Sequence, residues 1–117
     1  MPTLLIVDDH DSFRSWARRV MTEDGFDVVG EAADGASAIH AVTALRPDVT
    51  LLDILLPDMT GFEVAEVIRG RTAIVLTSSR AARDFGPERG AELARGFIEK
   101  RDLTGRAVVA AVRGDDD

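Results

Sequence analysis

Val49-Thr50-Leu51-Leu52-Asp53-Ile54, followed by Leu55-Leu56-Pro57-Asp58-Met59-Thr60-Gly61, holds the pattern that decides how this chain folds. Residues 49–54 are an almost continuous apolar run, as expected of a strand buried on both faces. A single carboxylate, Asp53, interrupts that run near its end. The segment from Pro57 to Gly61 then carries turn-forming residues and reads as a loop.

The same plan extends in both directions. Upstream, Ala38, Ile39, Val42 and Leu45 fall on one helical face, and the helix is expected to stop at Arg46-Pro47, because a residue before proline is pushed out of the helical region. Asp34-Gly35 reads as a turn, and Val28-Val29 as the start of a second strand. Further upstream, Phe13, Trp16, Ala17, Val20 and Met21 recur at i, i+3, i+4, i+7, i+8, an inward-facing helical stripe. Asp11 or Ser12 is placed to cap that helix and Gly25 to close it. Residues 4–7 form a first apolar strand that runs into Asp8-Asp9. Downstream, Val64, Val67 and Ile68 mark a third helix and residues 73–76 a fourth strand. Residues 79–95 are expected to hold a fourth helix, interrupted by Gly86-Pro87 and Gly90. Phe97-Ile98 is a fifth strand, and residues 103–112 a last helix capped by Asp102 or Thr104.

Five strand-then-helix units predict an α/β fold, doubly wound, with a parallel sheet and helices on both faces. The 117 residues fit one domain, with residues 114–117 as an acidic tail. A net charge of −7 argues against direct nucleic-acid binding, which needs an excess of Lys and Arg. The absence of cysteine excludes disulfide scaffolds, thiolate metal sites and cysteine nucleophiles. No apolar stretch exceeds six residues, far short of a membrane span. The start of the chain lacks a basic leader, so the expected compartment is the cytoplasm.

Ligands of open α/β sheets sit beyond the carboxyl ends of the strands, where strand order reverses. At those ends the sequence places Asp8 and Asp9, Asp53, Thr77 and Ser78, and Lys100. Of the fourteen Lys and Arg residues, only Lys100 is lysine, and a compact ammonium does a different job from a planar guanidinium. Crowded carboxylates repel unless cations offset them. Mg²⁺ suits such a site, since it prefers one or two carboxylates with waters and phosphate oxygens. Asp53 is placed to act as a nucleophile, because aspartate carboxylates form acyl phosphates.

Asp8-Asp9, then Asp53 with Pro57 and Gly61, then Thr77-Ser78, then Gly96-Phe97-Ile98-Glu99-Lys100 together resemble the receiver domain of bacterial response regulators. The resemblance covers nearly the whole chain. It implies a flavodoxin-like (βα)5 fold with strand order 2-1-3-4-5. It implies a phospho-accepting, non-enzymatic regulator of a two-component system. Asp53 would accept a phosphoryl group from a sensor histidine kinase or phosphotransfer protein. Asp9 would ligate Mg²⁺ directly, with Asp53, the Leu55 carbonyl, and Asp8 through the metal's waters. Thr77 and Lys100 would hold phosphoryl oxygens, Phe97 would turn inward as Thr77 moves, and an unidentified output protein would read the change. A homodimer through the fourth helix, fifth strand and last helix is a further implication. Arg101 stands where the family usually has a cis proline, and Ser78 where it has Ala or Gly. Two other readings stand beside this one. A receiver-like module could work by docking without phosphorylation, and an Asp-nucleophile phosphatase would share the fold. The phosphatase, however, needs a second acid two residues after its nucleophile, where this chain has Leu55.

Overall fold

A computed structural model describes residues 1–85 and 92–114. Its strands are β1 (Thr3–Val7), β2 (Asp27–Ala32), β3 (Val49–Asp53), β4 (Ala73–Ser78) and β5 (Gly96–Glu99). The helices are α1 (Asp11–Glu23), α2 (Gly35–Leu45), α3 (Gly61–Ile68) and α4 (Gly105–Arg113). All strand pairs are parallel, in the order β2-β1-β3-β4-β5. The doubly wound fold and its strand order therefore stand as expected.

Alternation along the buried strands builds two cores. Leu5, Val7, Leu52, Ile54, Ile74 and Leu76 face α2 and α3, where Ala38, Val42, Val64, Ala65 and Ile68 meet them. Leu4, Ile6, Val49, Leu51 and Val75 face the other way, onto Ala17 and Met21 of α1 and Val108 of α4. Thus β1 leads to a helix on one face and β3 to a helix on the other. The crevice that this reversal opens lies between the ends of β1 and β3.

The fourth helix expected within residues 79–95 falls in part on residues 86–91, which lie outside the described residues, as does part of the expected dimer face; the described part includes a 3-10 turn at Ala82–Phe85. Other local expectations need correction. Trp16 is not in the core but 36 % exposed, because it sits about 100° around α1 from Ala17, at the edge of the stripe. Val67 is 51 % exposed, being on the far side of α3 from Ala65 and Ile68. Leu45 is 45 % exposed at the last turn of α2, where Arg46 ends the helix in a left-handed conformation with φ 47°. The α1 cap is His10 rather than Asp11 or Ser12, and its side chain makes no capping bond. Thr104 caps α4 by accepting from the Ala107 N–H at 3.0 Å.

Two distant carboxylates also cap helices. Asp58 accepts from the Gly35 and Ala36 N–H groups of α2, at 2.7 and 3.0 Å, and Asp24 accepts from Gly105 N–H at 2.7 Å. The Gly35 N–H first, with Ala36, holds the Asp58 carboxyl below the usual range.

Gly61 fixes the end of β3. Its N–H donates to Ile54 O at 2.7 Å, and a Cβ there would strike the Asp53 carbonyl oxygen and lie 2.9 Å from Ile54 Cα. Both obstacles are backbone, so they yield only if the strand end moves. Gly61→Val is expected to cost about 3 kcal/mol, the upper range for overpacking, read as a lower urea midpoint. An unchanged midpoint would mean that the β3 end relaxes freely.

Candidate functional site

The site forms where β1, β3, β4 and β5 end together. Asp8 directly follows β1 and its side chain is fully buried. Its Oδ1 accepts the His10 backbone N–H at 2.8 Å, and His10 Nδ1 lies 2.9 Å from the same oxygen. Its Oδ2 lies 2.5 Å from Lys100 Nζ yet accepts no hydrogen bond of good geometry. Arg14, from the first turn of α1, donates to the Asp8 carbonyl oxygen at 2.6 Å. The same guanidinium pairs with Asp11 and, at 3.1 Å, with Glu31 of β2, which Arg18 meets at 2.7 Å. Arg18, above all, holds the Glu31 carboxyl below its ordinary range, with Arg14 adding to it against burial. This Arg–Glu frame pins the loop that presents Asp8 and Asp9.

Asp53 is the last residue of β3 and is 3 % exposed. Its Oδ1 accepts a long hydrogen bond from Leu55 N–H at 3.4 Å, and its Oδ2 lies 3.5 Å from Lys100 Nζ. Burial first, and then the charge of Asp8, push its carboxyl up to about 6, with Lys100 acting in the opposite direction. Asp53 is thus poorly solvated and under-compensated. Lys100 enters from the 3-10 turn after β5, only 16 % exposed, with its ammonium 4.6 Å from the centre of the Phe13 ring.

Thr77 is the register partner of Asp53 across β3 and β4 and is buried; its carbonyl accepts from Ile54 N–H at 3.0 Å. Ser78, also buried, turns its hydroxyl to the Arg80 N–H at 3.1 Å, so that oxygen is occupied within its own turn. Phe97 is half-buried and does not join the acids. It packs toward α3, with ring centroids 6.5 Å from Phe85, which in turn lies 6.0 Å from Phe62. Leu55 stands two residues beyond Asp53 with its side chain largely exposed. The turn after β5 is built without a cis bond: the described peptide bonds are all trans, and Arg101 pairs with Glu99 at 3.1 Å.

The structure thus brings Asp8, Asp9, Asp53 and Lys100 together, sets Thr77 beside Asp53, and leaves Phe97 in a neighbouring aromatic cluster. Sequence reasoning missed two participants. His10, to which the sequence reading gave no site role, is 63 % exposed yet lies 2.9 and 3.1 Å from Asp8 and Asp9. Its position directly after two acids was the available signal. Arg14 carried a weaker one, six residues after Asp8 in a helical first turn.

Three carboxylates against one ammonium leave the pocket with excess negative charge. Ligand atoms of Asp8, Asp9, His10 and Asp53, one from each, all lie within 4.8 Å of one another. The buried Asp8 Oδ2, which meets the Lys100 ammonium but accepts no hydrogen bond of good geometry, and the hard oxygen donors suit a divalent cation.

The model of the response regulator receiver domain matches residues 4–112. The chain belongs to the response regulator receiver family. Its fold superposes on the signal receiver domain of NarL from Mycobacterium tuberculosis with a TM-score of 0.85, 34 % identity and 97 % of each chain covered. It is 35 % identical to the DNA-binding response regulator MtrA of Mycolicibacterium paratuberculosis, over 97 % of this chain and 53 % of that protein. It is 38 % identical over 86 residues to a protein-glutamate methylesterase/protein-glutamine glutaminase of Halobacterium salinarum, covering 72 % of this chain and 25 % of that protein. This receiver therefore spans about half or less of these two relatives. No helix among its described residues is long and apolar enough to cross a membrane.

Proposed function

We propose that this receiver accepts a phosphoryl group on Asp53 with Mg²⁺ bound beside it, and so controls an output partner. The observation that carries this reading is Asp53 itself, buried, desolvated and flanked by Asp8, Asp9 and Lys100 at the switch point of the sheet. Asp9, Asp53 and the Leu55 carbonyl would hold the metal, with Asp8 acting through its waters. When bound, Mg²⁺ supplies positive charge to the phosphoryl oxygens.

The chain's own residues do the rest. A carboxylate oxygen of Asp53 attacks phosphorus, the bond from phosphorus to the donor breaks, and the donor leaves with that bond's electron pair. Lys100 moves from the Asp8–Asp53 pair toward a phosphoryl oxygen, and the Thr77 hydroxyl donates to another. Such chemistry is mostly positioning and neutralisation of charge. The donor would be a sensor histidine kinase or phosphotransfer protein. The change at Thr77 would reach the partner through β4, β5 and the Phe97–Phe85–Phe62 cluster. Leu55 has no proton to move, which weighs against a phosphatase. The test is intact mass after incubation with a small phosphodonor. One added phosphoryl group is expected with Mg²⁺ and none with EDTA; a docking module that works unphosphorylated would gain none in either.

The acyl phosphate should be long-lived. Leu55 is apolar, Ser79 is small, and both are exposed beside the site, so neither side chain acts as a base or orients water with an amide. Leu55→Asn with Ser79→Glu is expected to shorten the lifetime about 10-fold, the low end for one positioned polar group. Phosphate release timed for both proteins checks this, and an equal lifetime would place control of water elsewhere.

A further inference from the structure

The metal-facing cluster contains one nitrogen donor, and nothing in the phosphoryl chemistry uses it. His10 Nδ1 lies 2.9 Å from Asp8 Oδ1 and 3.1 Å from Asp9 Oδ1, on the side of the acids away from the core. The ring has no other duty. It is 63 % exposed, so it contributes little packing, and although His10 is the N-cap of α1 its side chain makes no capping bond. Its backbone is held by the N–H to Asp8 Oδ1 bond at 2.8 Å, which keeps the ring beside the acids. On the inner side, the buried Asp8 Oδ2 meets the Lys100 ammonium at 2.5 Å but accepts no hydrogen bond of good geometry, so the acid cluster is compensated there by a single mobile cation.

We propose that His10 Nδ1 is a metal ligand, making with Asp8, Asp9 and Asp53 a mixed nitrogen–oxygen site that takes divalent transition ions such as Co²⁺, Ni²⁺ or Zn²⁺ more tightly than Mg²⁺. The inference rests on the metal site proposed above, adds His10 to it and brings Asp8, which serves Mg²⁺ through water, into direct contact with the ion. The four ligand atoms already lie within 4.8 Å of one another, whereas donors bound at about 2.0–2.2 Å span at most about 4.0–4.4 Å across one ion, so the set must close by roughly half an ångström for an octahedral ion and by more than an ångström for a tetrahedral one. Imidazole favours the later first-row ions, whereas Mg²⁺ selects oxygen and keeps its waters. Coordination uses the Nδ1 lone pair. In the imidazolium the Nδ1 proton leaves to solvent as the ion arrives and Nε2 keeps its own; in the neutral ring protonated at Nδ1 that proton leaves while Nε2 takes one up from solvent, with no net release. Mg²⁺ gains nothing from the ring and meets it as a competing group on Asp8 and Asp9.

Calorimetric titration of the native chain, His10→Ala and His40→Ala with NiCl₂, CoCl₂ and MgCl₂ tests this, with the visible Co²⁺ bands as a second readout. His40, on the exposed side of α2, is the other histidine and serves as control. His10→Ala is expected to lose at least about 10-fold in Ni²⁺ and Co²⁺ affinity, as for loss of a metal-orienting group, with an altered Co²⁺ spectrum. Its Mg²⁺ affinity should stay equal or rise, and His40→Ala should match the native chain. Circular dichroism verifies that the variants are folded, as the exposure of His10 leads one to expect. Native-like Ni²⁺ affinity and Co²⁺ bands in His10→Ala would overturn the role of His10 while leaving the Mg²⁺ site standing. Failure of the native chain to bind Mg²⁺ at all would overturn both.

Discussion

An Asp53→Asn chain is expected to take up no phosphoryl group and, without metal, to be more stable than the native chain at neutral pH. The first effect follows from chemistry, since an amide oxygen does not replace the carboxylate nucleophile. The second follows from linkage. Burial and the charge of Asp8 raise the Asp53 carboxyl to about 6, above its unfolded value near 4. Between those values the folded chain binds more protons than the unfolded one, so stability falls as pH rises through about 4 to 6 and the full penalty remains above 6. A shift of this size corresponds to roughly 3 kcal/mol at most. That figure already contains the attraction to Lys100; asparagine fits the site less well than the neutral acid, which leaves an expected gain of about 1–2 kcal/mol at pH 7.5. Urea midpoints at pH 4.5, 6 and 7.5 measure it. The native chain should lose stability across that series relative to Asp53→Asn, and Mg²⁺ should narrow the gap by offsetting the native charge. Parallel curves for the two proteins would mean that Asp53 is already fully compensated.

The second large effect belongs to Lys100. Its ammonium is the nearest cation to a fully buried carboxylate, 2.5 Å from Asp8 Oδ2, and it also serves Asp53 at 3.5 Å. Lys100→Met keeps most of the volume packed on Phe13 but strands Asp8. Removing one partner of a buried pair costs about 3–5 kcal/mol, and protonation of the orphaned acids brings this toward the lower figure. We expect a loss of about 3 kcal/mol in EDTA at pH 7.5, with part recovered in Mg²⁺, because the divalent ion replaces the missing charge. Phosphoryl uptake should slow sharply even with Mg²⁺, since no point donor remains for the phosphoryl oxygen. A Lys100→Met protein with a native urea midpoint in EDTA would mean that Asp8 finds its compensation elsewhere.

Which parts of this were legible follows from the range of the interactions. Residues 49–54 disclosed a buried strand because a parallel sheet covered on both faces demands continuous apolar side chains. The strand-end acids followed from the same pattern, since a charge at the end of such a run needs a reason. The stripe on α1 was read correctly at Ala17 and Met21 and wrongly at Trp16, because periodicity gives a phase without saying how wide the buried arc is. Leu45 and Val67 failed for related reasons, one at a helix end and one on the wrong side of a short helix. Capping by Asp24 and Asp58 was invisible, since Gly105 lies 81 residues from Asp24 and nothing local marks the pair. The His10 contacts came from folding back over two residues, a geometry that composition does not reveal.

The most direct test of the central claim locates the phosphoryl group. The native chain is incubated with a small phosphodonor and Mg²⁺, reduced with borohydride to convert any acyl phosphate to homoserine, digested, and sequenced by mass spectrometry. Homoserine is expected at position 53 alone, with none after EDTA treatment. Homoserine at Asp8 or Asp9, or a phosphoryl mass that persists in Asp53→Asn, would contradict the assignment of Asp53 as acceptor.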